Sequence, residues 1–125
     1  MTKYEQLLSE YGHLDIKEMK MHLKGLYSDD TIWIKKDLLE SEKACILAEE
    51  LGHYETSSGD ILDQKDVAKR KQELIARRWA YNKLIPYEDI LKAFSKGYYK
   101  TYEIADFLDV DEEFLKECLN HYDLL

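Results

Sequence analysis

What this chain lacks narrows it before any motif does. Nowhere in its 125 residues is there a run of about 18 apolar residues, so no segment reads as a membrane-spanning helix. The opening, MTKYEQLLSEYGH, is polar and amphipathic and holds no apolar signal region, and a cytoplasmic protein is expected. Its two cysteines, Cys45 and Cys118, lie far apart. They belong to no CxxC or Cys/His cluster, which predicts reduced thiols and argues against a disulfide scaffold or a cysteine-based zinc site. Positive charge is also short. The net charge of −8 argues against general nucleic-acid binding, which needs cations to meet phosphates. No linker, repeat or low-complexity segment divides the chain, so one domain over residues 1–125 is expected.

The charge that is present is uneven. Lys65, Lys69, Arg70, Lys71, Arg77 and Arg78 crowd one segment. The tail beyond Thr101 is acidic, from Glu103 through Asp111, Glu112 and Glu113 to Asp123. Two solvated faces of opposite sign account for this without a specific site.

Tyr4, Leu7, Leu8 and Tyr11 recur at helical spacing and predict an opening helix. GLYSDDTIWI, Gly25 to Ile34, predicts a hairpin: Ser28, Asp29 and Asp30 form the turn, and Thr31 to Ile34 favour strand. A third strand is expected near Ile16 to Met21. A helix follows over about Leu39 to Tyr54, started by Asp37 with Glu40 in a capping box or by Ser41. Ala44, Leu47, Ala48 and Leu51 give it an apolar face. A long helix from Gln64 to Ile85 ends at Pro86, which cannot continue it. Three shorter helices are expected in a tail over 87–125: Tyr87 to Ser95, Thr101 to Leu108 and Asp111 to His121. The last two have the rhythm of a helix-turn-helix, but the second starts Asp111, Glu112, Glu113, which would repel phosphates. Trp33 and Trp79 are expected in the core.

The chemistry gathers in AEELGHYETSSGD, Ala48 to Asp60. EELGH is one residue away from HELGH. In a HExxH helix, histidines at i and i+4 reach one zinc from one face, and the glutamate between them is the general base. Here Glu49 and His53 hold the two ligand positions and Glu50 holds the base position. Gly52 is costly inside a helix, by roughly 1 kcal/mol against alanine, and a close approach of another backbone would explain it. Alone, ExxxH is a common pattern of solvated helices. Glu50-x-x-His53 also has di-iron spacing, but no second such motif exists. His13, His22 and His121 have no evident partner and read as surface or capping residues.

A second stretch, KQELIARRWAYNKLIP from Lys71 to Pro86, changes the weighing. Taken together in this order, LAEELGH and ELIARRWA resemble the ImmA/IrrE family of metallopeptidases. That family pairs a HELGH helix with a later helix of the form E-x-x-A-N-x-F-A. Glu73 matches the acidic zinc ligand, Ala76 and Ala80 the alanines, and Trp79 the aromatic; Arg77 departs from the asparagine. Glu73 follows His53 by twenty residues, a spacing found among gluzincins.

The resemblance runs from about Ile16 to the end. It implies an α+β fold, mostly helical, with a zincin-like active-site helix on a small antiparallel sheet of two to three strands and a C-terminal helical tail. It further implies metal ligands Glu49, His53 and Glu73, with Glu50 as catalytic base. Asp60 and Asp63 could orient His53, and Tyr54 or Tyr81 could stabilise an oxyanion. The ion would be zinc, or manganese or ferrous iron, because a second carboxylate neutralises the site's charge and favours harder ions. The implied function is that of an endopeptidase of a prophage or integrative element, whose substrate is the element's helix-turn-helix repressor. The rival readings are a degenerate member that sequesters the repressor, and a regulator whose helical tail binds DNA directly.

Overall fold

A computed structural model describes residues 1–56 and 66–125. Helix α1, Lys3–Glu10, leads into strands β1 (Asp15–Met19), β2 (Gly25–Ser28) and β3 (Thr31–Lys35). Helices α2 (Glu40–Thr56), α3 (Asp66–Leu84), α4 (Tyr87–Ser95), α5 (Thr101–Leu108) and α6 (Glu112–His121) follow. The fold is α+β and mostly helical, as expected. None of these helices is long and apolar enough to cross a membrane.

Thr2 starts α1 by a reciprocal capping box. Its hydroxyl accepts from the Glu5 N–H at 3.1 Å, and the Glu5 carboxylate accepts from the Thr2 N–H at 2.9 Å. The β2–β3 hairpin turns through Asp29 and Asp30, with φ of 51° and 61°. A two-residue type I′ loop requires positive φ at both central positions, and aspartate tolerates it better than most residues.

The strand order is β1-β3-β2. β2 pairs antiparallel with β3, but β1 runs parallel to it, so the sheet is mixed rather than wholly antiparallel. Among the described residues β3 is central and β2 is an outer edge. Ile32 and Ile34 point from β3 into the core and are almost fully buried. Trp33 alternates to the other face, only half-buried, where the Lys17 ammonium stands 5.5 Å from its ring centroid. The expected core position fails for Trp33 because successive strand residues face opposite sides. Trp79 packs, partly buried, against the core.

Neither expected cap starts α2. The Leu39 carbonyl accepts the first helical N–H, from Lys43 at 2.9 Å, so Asp37 lies in the preceding turn and Ser41 lies within the helix. Ala44, Leu47, Ala48 and Leu51 are buried along its core face. Helix α3 stops before Pro86, which opens α4 with φ −56°. Asp109 turns left-handed at the end of α5 with φ 57°. Asp111 then caps α6, accepting the Phe114 N–H at 3.1 Å.

Two glycines set how closely α2 is held. A Cβ on Gly52 would overlap the Ala76 carbonyl oxygen, so the α3 backbone lies directly on α2. A Cβ on Gly25 would overlap Ile46 and come within 3.3 Å of the Glu50 side chain, so β2 presses on the other side. The close backbone approach anticipated at Gly52 is present.

Candidate metal centre

The glycine contacts fix one helix between an edge strand and a second helix, and a cavity of about 640 Å³ opens where the three meet. β2 and its turn supply one wall, from Gly25 to Asp29. α2 supplies Glu49, Glu50 and His53, and α3 supplies Lys69 and Glu73. All four residues singled out in the sequence therefore line a single cavity. Helical spacing explains part of this, since Glu49 and His53 lie one turn apart on α2. The rest follows from the Gly52–Ala76 contact, which brings α3 close enough for Glu73 to meet His53.

His53 Nε2 stands 3.6 Å from Glu73 Oε2, with both side chains partly exposed to the cavity. Burial pushes the Glu50 carboxyl up to about 7, helped by the neighbouring charges of Glu49 and Glu73. Burial also raises Glu49, to about 6, against the pull of the Arg77 guanidinium. Glu117, Glu73 and Asp111 add to the rise.

In chemistry the donors suit a divalent cation: one imidazole and a set of carboxylates whose mutual repulsion a cation would relieve. In placement they fall short of a closed set. Among the described residues, no group of three or more histidine, cysteine, aspartate or glutamate side chains is arranged to hold an ion. The structure joins His53 to Glu73. Glu49 lines the same cavity but also feels Arg77, the residue that departs from the asparagine of the resembling motif.

The other residues singled out in the sequence are placed variously. Tyr81 is buried, and its hydroxyl donates to Glu117 at 2.9 Å in a separate groove between α3 and α6. Arg77 and Arg78 share that groove with Glu117 and Asp123, so the basic segment and the acidic tail do meet there. His121 packs against the Tyr81 ring at 5.4 Å, and His13 stacks on Tyr11 at 6.0 Å. Tyr54 meets Tyr27 edge-on at 6.2 Å beside the cavity wall. Asp60 and Asp63 lie outside the described residues. Sequence reasoning passed over β2 as a wall of the site, although Gly25 in a strand already signalled a close backbone approach. It also passed over Lys69.

A profile of the IrrE N-terminal-like domain matches residues 7–120, and the chain belongs to that peptidase family. Comparison with curated proteins finds no match, and neither does comparison with solved structures.

Proposed function

We propose that this member of the IrrE N-terminal-like peptidase family is a metal-dependent endopeptidase of a prophage or integrative element, acting in the cytoplasm. Its substrate is the helix-turn-helix repressor of that element, as the family resemblance implies. One observation carries the peptidase part: the His53–Glu73 pair and Glu50 line the same cavity, bounded by strand β2. Glu49, His53 and Glu73 are the residues that would hold the ion, zinc or alternatively manganese or ferrous iron, which would supply Lewis-acid polarisation of a scissile carbonyl.

The chain's own residues supply the proton chemistry. Glu50 lines the same cavity one residue from Glu49, which suits it to take a proton from water held there and pass it to the leaving amine. Among the described residues the outer edge of β2 has no strand partner, and an extended peptide paired there would lie beside Glu50.

A second reading has its own support. The pull of Arg77 on Glu49 and the open donor set favour a family member that binds the repressor without cutting it. Elemental mass spectrometry on protein purified without chelator or metal-affinity tag separates the two. The endopeptidase reading expects near one ion per chain, lost in His53→Ala, and repressor cleavage abolished by Glu50→Gln. Folded protein that stays metal-free after added zinc, manganese or ferrous iron, and that binds repressor intact with or without Glu50→Gln, would establish the second reading instead.

A further inference from the structure

The corner between α4 and α5 holds another cavity, of about 320 Å³, which shares no residue with the candidate metal centre. Helix α4 ends at Ser95 and is followed by Gly97, whose φ of 89° lies in the left-handed region. The Gly97 N–H donates to the Phe94 carbonyl at 2.9 Å, and the Tyr98 N–H donates to the Ala93 carbonyl at 3.1 Å. This closing turn reverses the chain. It brings the Tyr98 ring within 5.2 Å of Phe107 on α5.

On α5 itself, Tyr102 and Asp106 lie one turn apart, as do Glu103 and Phe107. The cavity is lined by these four and Tyr98. It thus has three aromatic rings and two carboxylates, and no cation. Neither Glu103 nor Asp106 forms an ion pair among the described residues. Two of the rings already attract ammonium groups. Lys96 Nζ stands 5.9 Å from the Phe107 ring centroid, and Lys100 Nζ stands 5.9 Å from that of Tyr102. Both distances are at the outer limit of cation–π attraction, and neither lysine lines the cavity.

We propose that this cavity docks a lysine or arginine side chain of a partner protein. Aromatic rings and two carboxylates in one cavity favour a cation on a long apolar stem. The volume is at the small end of ligand pockets, which suits one side chain rather than a larger molecule. Glu112, which accepts the Thr101 hydroxyl at 2.7 Å, adds a further carboxylate at the start of α5, which favours a basic protein segment over a free amine. The proposal is independent of whether the candidate metal centre is active.

The test is a two-dimensional amide NMR titration of the full chain with a short Gly-Ser peptide carrying a central lysine, and with the same peptide carrying norleucine. Shifts confined to Tyr98, Tyr102, Glu103, Asp106, Phe107 and their neighbours are expected for lysine and absent for norleucine. The double variant Glu103→Gln/Asp106→Asn, with an otherwise unchanged spectrum, should bind the lysine peptide at least about tenfold more weakly. Equal shifts with norleucine, shifts mapping elsewhere, or undiminished binding by the double variant would overturn the proposal. So would concentration-dependent shifts of the same residues without peptide, which would place a second copy of this chain in the cavity.

Discussion

Replacing Gly52 by alanine sets two opposing effects against each other. Inside a helix alanine is more favourable than glycine by about 1 kcal/mol, so propensity alone predicts a stabilised protein. The added Cβ, however, would land on the carbonyl oxygen, carbon and Cα of Ala76. Those are backbone atoms that no rotamer change can clear, so α3 must move off α2. Overpacking of this kind costs about 1–3 kcal/mol, and here it acts on the largest helix–helix contact of the fold. The expected net effect of Gly52→Ala is a loss of up to about 2 kcal/mol, or roughly 4 °C in Tm per kcal/mol. Urea unfolding followed by circular dichroism, with chelator present, measures it. A variant more stable than the parent by about 1 kcal/mol would refute the contact and leave propensity in charge. If the reasoning holds, the displacement also widens the 3.6 Å His53–Glu73 approach, and metal binding should weaken together with stability.

Two more perturbations probe other parts of the structure. Glu49 and Glu50 have folded-state pKa values raised to about 6 and about 7, so the folded chain holds their protons where the unfolded chain has released them. In chelator, stability should therefore fall as pH rises from about 4.5 to about 7 and level off above that, and Glu50→Gln should flatten the upper part of the fall. A pH–stability curve rising through that window in urea titrations would contradict this burial. Asp111→Ala removes the side-chain acceptor at the start of α6 and should lower stability by about 1 kcal/mol, and an unchanged urea midpoint would show that the cap does not hold that helix.

Where local chemistry decides the structure, the sequence was readable. Pro86 ends a helix because it lacks an N–H, and α4 begins there. Asp29 and Asp30 accept positive φ, and the hairpin forms around them. Glu49, Glu50, His53 and Glu73 line one cavity because helical spacing and one glycine contact suffice to bring them there.

Long-range choices were not readable. Nothing in DIKEM tells whether it joins β3 parallel or antiparallel, because that depends on which edge of β3 is free. Trp33 has the composition of a core residue but the wrong parity on its strand.

The two thiols bear on how the molecule opens. Cys45 lies on α2, one turn before Glu49, and Cys118 lies on α6. Both are almost wholly buried, and burial pushes each thiol up to about 12. A thiol so raised is almost never a thiolate at neutral pH, so it reacts with a disulfide or alkylating reagent only when its helix comes away from the core. The chain thus carries two slow internal clocks, one on the helix bearing Glu50 and one in the acidic tail. If the two thiols are modified at one rate, the domain opens as a unit. If Cys118 is modified faster, the tail breathes independently while the helix of the candidate centre stays closed.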